Sequence, residues 1–185
     1  VFATPSLAPG FTLTPEPSMN LYLIRHADAG NRDEWEGDDA ERPLSELGRQ
    51  QARALGEAFH RLGLRVGAVV TSPLVRAEQT AAEFHAGAGP EGREPEACDL
   101  LAQGVGKKRK LAKFLAGIEV ENLVIVGHDP DLSAFLAWLV GSDPENVSLE
   151  KGGVALVRFD DEIEKGRGQL AWVVTPDWFM APVGV

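Results

Sequence analysis

Apolar residues along this chain fall into two spacings. Short runs, Leu21-Tyr22-Leu23-Ile24, Val66 to Thr71 and Leu123-Val124-Ile125-Val126, are dense in β-branched side chains. Such runs read as strands of a parallel sheet buried on both faces. Between them apolar residues return at helical intervals. Leu44, Leu47, Ala52, Leu55, Phe59 and Leu62 mark a first helix, with Ser45 as N-cap and Gly63 as its stop. Ser72-Pro73 opens a second, as cap and Pro at N1, running to about His85. A Gly/Pro-rich stretch from Ala86 to Pro95 and a short segment around Ala97 to Leu101 follow. Lys107 to Ala116 is a third helix, and Asp131 to Val140 a fourth that Gly141 stops. Val154 to Phe159 and Gln169 to Val174 are joined by a charged loop without a helix, which predicts an antiparallel hairpin. Strand and helix otherwise alternate. The expected fold is α/β: a three-layer αβα sandwich with a mostly parallel sheet and an antiparallel C-terminal hairpin.

The first eighteen residues break the pattern. Pro5, Pro9, Pro15 and Pro17 interrupt any helix, and no basic segment precedes an apolar one, so they do not read as a signal peptide. They are expected to be a disordered extension, with a single domain over residues 19–185. At 185 residues the chain can bury a proper core, and no apolar run approaches membrane-spanning length. The formal net charge of −10 argues against nucleic acid or an anionic membrane as partner. Lys107-Lys108-Arg109-Lys110 is the one basic cluster, read as a solvated helix face. Cys98 stands alone, so no internal disulfide can form and a cytoplasmic location is expected. It reads as partly buried filler, and His60 and His85 as surface or structural residues on helices.

Polar residues at strand ends carry the chemistry. Arg25-His26 follows the first strand, and Gly127-His128-Asp129-Pro130 follows the third. After the second comes Thr71-Ser72-Pro73, which places Arg76 in the first turn of a helix. A cation there opposes the helix dipole unless an anion shares the space. In open α/β sheets ligands bind outside the carboxyl ends of strands, and right-handed crossovers bring these three ends to one edge. Arg25, His26, Arg76 and His128 should therefore face one another around a small anion. Two His and two Arg favour phosphate, with a His as nucleophile and the other groups neutralising its oxygens.

The segments LYLIRHADAG, ERPLSELGRQQA, VVTSPLVRAEQTA and LVIVGHDPDLS, in order from about Leu21 to Phe159, resemble the histidine phosphatase (phosphoglycerate-mutase-like) superfamily, in particular its compact SixA-type phosphohistidine phosphatases. The resemblance implies that His26 is the phosphorylated nucleophile and that Arg25, Arg76 and His128 form the phosphate pocket. Arg42 and Ser72 become candidate substrate-binding residues, although Arg42 reads equally as a loop arginine among acids. It further implies metal-independent hydrolysis, no cofactor, and a phosphohistidine-bearing phosphotransfer domain or phosphocarrier as partner. Two positions depart from the family pattern. Ala27 replaces a common Gly, and Leu100 stands where larger members supply a carboxylic acid. Asp28 and Asp99 are the remaining candidate proton donors. An alkoxide leaving group needs an acid, worth roughly 10²–10⁴ in rate. Imidazole, with a conjugate-acid pKa of about 6.5, can depart from phosphohistidine already protonated or nearly so.

Rival readings fit less well. Six residues beyond Cys98 stands Gly104 rather than the Arg of a cysteine-dependent phosphatase. Gly106-Lys107 is followed by Lys108 rather than the Ser or Thr of a P-loop. Asp129-Pro130-Asp131 as a metal-dependent aspartate site leaves Arg25-His26 unexplained. A broad-specificity phosphomonoesterase of the same superfamily and a non-catalytic phosphohistidine-binding module remain the alternatives.

Overall fold

The structure, a computed structural model, describes residues 19–89 and 93–180; the extension expected over residues 1–18 lies outside them. Strand β1 (Met19–Arg25) is followed by α1 (Glu46–Arg61), β2 (Ala68–Thr71), α2 (Val75–Ala88), β3 (Glu96–Ala97) and α3 (Lys108–Ala116). Then come β4 (Asn122–Gly127), α4 (Asp131–Val140), β5 (Val154–Phe159) and β6 (Gln169–Val174). The six strands form one sheet in the order β3-β2-β4-β1-β5-β6. The first four in that order are mutually parallel, β5 runs antiparallel to β1, and β6 antiparallel to β5. Among the described residues no helix is long and apolar enough to cross a membrane.

Side chains alternate faces along each strand, so one strand feeds two cores. Leu21, Leu23, Leu123 and Ile125 pack with Leu111, Leu115, Phe135 and Leu136, under α3 and α4. Tyr22, Ile24, Val124 and Val126 pack with Leu55, Phe59, Ala77 and Phe84, under α1 and α2. The central strands are apolar on both faces because both faces are covered. Helices α1 and α2 touch at Gly56, where a Cβ would overlap the Phe84 carbonyl oxygen.

Several expectations need correcting. Ser72 does not cap α2: the helix starts at Val75 behind Leu74, which makes no side-chain cap bond. The Ser72 hydroxyl instead accepts the Leu74 N–H at 3.2 Å in the turn before it. Pro73 therefore sits in that turn rather than at N1, and the helix runs on to Ala88 rather than His85. Strand β2 begins at Ala68, two residues later than Val66. Leu47 and Leu62 obey the helical spacing of α1 yet lie exposed, because its apolar stripe is narrower than the pattern suggested. Ser45 does cap α1, accepting the Gly48 N–H at 3.0 Å. The long acidic loop holds two short 3-10 turns, Arg32–Glu34 and Asp39–Glu41.

Candidate active site

Three parallel strands end level with one another. Arg25 of β1 stands beside Gly127 of β4, and Thr71 of β2 beside Val126. The chain leaves each strand still tied to the sheet: His26 N–H donates to Gly127 O at 2.9 Å, and Ser72 N–H to Val126 O at 2.9 Å. A cleft of about 620 Å³ opens at this edge, and Arg25, His26, Arg42, Arg76 and His128 all line it. The convergence expected from the strand ends is what the fold delivers.

The two imidazoles lie with ring centroids 5.0 Å apart. His26 is 7% exposed, and its Nδ1 sits 2.8 Å from its neighbour's carbonyl, Ala27 O. A carbonyl can only accept, so that nitrogen carries the proton and Nε2 keeps the lone pair. Burial pushes the His26 pKa down to about 4; the bond to Ala27 opposes this, and Arg76 and Arg25 reinforce it. His128, 2% exposed, is pushed down to about 3 by burial, then by His26 and Arg76. Both rings are neutral at neutral pH.

Arginines surround them. Arg25 donates from Nη1 to Leu149 O at 2.8 Å and pairs with Asp129 at 3.5 Å. Asp129 accepts the Ser133 hydroxyl at 2.9 Å, and Ser133 Oγ accepts the Leu149 N–H at 3.0 Å, which closes the support behind Arg25. Arg76 is 2% exposed and so needs partners: it donates to Asp39 O at 2.6 Å and Gln103 Oε1 at 2.9 Å, and pairs with the Asp39 carboxylate at 3.2 Å. Arg42 donates to Asp39 Oδ1 at 2.8 Å and Ala29 O at 2.6 Å. Desolvation works to raise the Asp39 pKa, but the bond from Arg42 and the charges of Arg76, Arg42 and Arg32 hold it below its usual range.

Among the described residues, four buried side-chain polar atoms have no hydrogen-bond partner in the protein. Three of them are Arg25 Nε, Arg76 Nε and His128 Nδ1, all on residues of this one cleft. An unsatisfied buried group costs about 1–3 kcal/mol, more if charged. A tetrahedral oxyanion is rich enough in acceptor sites to serve several such donors at once.

The remaining sequence candidates separate. Ser72 is 0% exposed and lies 2.8 Å, through Oγ, from His128 Nε2. Ser72 is not among the residues lining the cleft, and its hydroxyl lies against the His128 ring. Asp28 lines the cleft. Desolvation works to raise its pKa, yet the Ser45 hydroxyl at 2.7 Å, the Gly30 N–H at 3.1 Å and Lys151 at 3.0 Å outweigh it and hold the carboxyl at about 2. It is ionised at neutral pH and carries no proton to give. Asp99 is exposed and is not among the residues lining the cleft. Leu100 lines a separate, small apolar pocket with Leu101, Leu111, Leu132 and Phe135. Asp39, Gln103 and Lys151 line the cleft without having been singled out from the sequence, and so does Asp129, which the sequence offered only as part of a rival aspartate site. The sequence carries no signal for Lys151: it is the pairing of β5, antiparallel to β1, that takes the Gly152-Gly153 turn past Arg25. Gly152 N–H indeed donates to Arg25 O at 3.2 Å. Among the described residues no group of three or more His, Cys, Asp and Glu is arranged to hold a metal.

The chain resembles known proteins in sequence and in fold. The family model of the histidine phosphatase superfamily (branch 1) matches residues 21–103. An uncharacterized protein of Picosynechococcus sp. is 34% identical over 147 residues, covering 76% of this chain and 85% of its own length. The structure of the protein histidine phosphatase SixA complexed with tungstate superposes with a TM-score of 0.73 at 24% identity, covering 85% of this chain and 97% of that one. A mycobacterial glucosyl-3-phosphoglycerate phosphatase superposes with a TM-score of 0.63 at 18% identity, covering 83% of this chain and 97% of that one.

Proposed function

From the premise that this chain belongs to the histidine phosphatase superfamily (branch 1), we propose that its domain from Met19 onward removes phosphate from phosphohistidine on a protein. The observation that carries the reading is the set of three buried, unpartnered donors, Arg25 Nε, Arg76 Nε and His128 Nδ1, around a neutral His26. His26 is the nucleophile. Its Nδ1 proton is held by Ala27 O, so Nε2 attacks phosphorus in line; the P–N bond breaks, the substrate ring, already protonated on its other nitrogen, leaves as neutral imidazole, and the enzyme becomes phosphorylated. Water then attacks the same phosphorus, the P–Nε2 bond breaks, and phosphate leaves with His26 restored. Arg25, Arg76 and His128 stabilise the oxygens in both steps. A Ser72 hydroxyl that donates to His128 Nε2 fixes the other proton on Nδ1, the nitrogen without a partner in the protein.

The leaving group is argued from the carboxyls. Asp28 and Asp39 are held ionised, Asp129 is engaged by Ser133 and Arg25, and Asp99 does not line the cleft. No carboxyl lining the cleft is set to protonate an alkoxide, whereas an imidazole already protonated on its second nitrogen leaves as the neutral ring without such help. The SixA structure named above bears a protein histidine phosphatase's name, which supports the same choice.

The test compares kcat/KM on a histidine-phosphorylated phosphotransfer domain with that on glycerate and sugar phosphates. The domain should be preferred by about 10²-fold or more, the value of the missing acid. Faster turnover of the phosphomonoesters overturns the reading and favours a small-molecule phosphatase. Tight binding of the phosphorylated domain without phosphate release favours a binding module.

A further inference from the structure

The basic run Lys107-Lys108-Arg109-Lys110 is poorly placed for helix stability. Lys107 precedes α3 without a side-chain cap bond, the next three residues form the first turn, and that turn holds no acid. Cations at a helix N-terminus oppose its dipole. No carboxylate pairs with any of the four among the described residues. Lys107, Arg109 and Lys110 are exposed.

This turn lies near the cleft, joined to it through His128, which lines both the cleft and the neighbouring pocket. Lys107 and Lys108 share the walls of the small apolar pocket with Gly127 and His128, and Gly104, three residues before Lys107, donates its N–H to Asp131. Gln103, next in the same loop, holds Arg76 inside the cleft. The opposite rim comes from the loop that leads into α1 on the other face of the sheet. There Asp33, Glu34, Glu36, Asp38 and Glu41 are all exposed, and Asp39 reaches in to Arg76. Even with Arg32 exposed among them, acids dominate the α1 side of the rim, while the first turn of α3 is basic, in a chain whose net charge is −10.

We propose that the first turn of α3 is the docking surface for an acidic patch on the phosphohistidine-bearing protein, beside the histidine that enters the cleft. This rests on the proposed function above. A polarised rim recognises a partner whose charges are distributed in the complementary sense, and it fixes one orientation on encounter. A uniform polyanion such as a nucleic acid gains on one rim what it loses on the other. A small phosphate compound has no surface to meet Lys110.

The test is the triple variant Lys107→Glu, Arg109→Glu, Lys110→Glu. Acids in the first turn suit the helix dipole, so the variant should unfold at the same temperature as the wild type or higher. Its kcat/KM on an acidic, histidine-phosphorylated phosphotransfer domain at low salt should fall about tenfold or more, and raising salt should shrink the difference from the wild type. On phosphoramidate, a P–N substrate without a protein surface, it should stay within about twofold of the wild type. Equal loss on both substrates, or no loss on the phosphorylated domain, overturns the docking inference while leaving the proposed function in place. A wild-type protein that does not turn over the phosphorylated domain overturns both. DNA binding at physiological salt that the triple variant loses reassigns the surface to nucleic acid.

Discussion

Lowering the pH from 7 to 5 should cost this protein about 4 kcal/mol of folding stability through two residues, His26 and His128. An unfolded histidine takes up its proton near pH 6.5, whereas burial keeps these two neutral down to about 4 and about 3. Below 6.5 the unfolded chain therefore binds protons that the folded chain refuses, so stability falls as pH falls. At pH 5 each residue accounts for about 2 kcal/mol of that loss, and the loss saturates near 3 kcal/mol for His26 and 5 kcal/mol for His128 once pH passes below their folded values. Asp28 and Asp39 act in a separate window. Their depressed values give stability that is present above about pH 4 and lost below it, so neither contributes between 7 and 5. Urea unfolding at the two pH values measures the drop. His128→Gln removes one titrating ring and keeps a polar side chain of similar reach; its drop should be smaller than the wild type's by about 2 kcal/mol. A variant that loses as much stability as the wild type would show that His128 is not held neutral by the fold.

Two further substitutions probe the support of the site. Ser72→Ala leaves His128 Nε2 without its partner at 2.8 Å and should cost about 1–3 kcal/mol of stability, read by urea unfolding, together with a fall in kcat that Ser72→Thr restores in part. Gly48 packs so tightly on the loop behind the nucleophile that a Cβ would overlap the Asp28 carbonyl oxygen. Gly48→Ala should therefore destabilise by about 1–3 kcal/mol and lower kcat together, and unchanged kcat would show that the loop from Ala27 to Asp28 moves without consequence for His26.

The four residues at the heart of the cleft were legible because strand periodicity and topology locate strand ends without any knowledge of side-chain packing. Arg25, His26 and His128 follow apolar runs directly, and Arg76 follows one by a single turn. Residues whose place depends on how a loop folds back were less legible. Asp39 was visible only as one acid in a crowded loop, yet Arg76, Arg42 and Arg32 converge on it. Gln103 carries no charge and no motif, and only the path of the chain between β3 and α3 brings it to Arg76. Ser72 was read as a cap because a Ser-Pro pair before a helix usually is one. The hydroxyl serves His128 instead, a contact 56 residues away in sequence that local rules do not see. In the fold, the antiparallel β5–β6 pair was readable, but its place beside β1, which brings Lys151 to the cleft, was not drawn from the pattern.

The most direct test of the chemistry is to find where the phosphoryl group rests between the two steps. The protein is mixed with a histidine-phosphorylated phosphotransfer domain, quenched at millisecond times under alkaline conditions, and mapped by mass spectrometry. Phosphate should appear transiently on His26 and then be released, and His26→Ala should show neither the label nor the release. Phosphate release at the full rate from His26→Ala, or a label on any other residue, would contradict the assignment of His26 as the nucleophile.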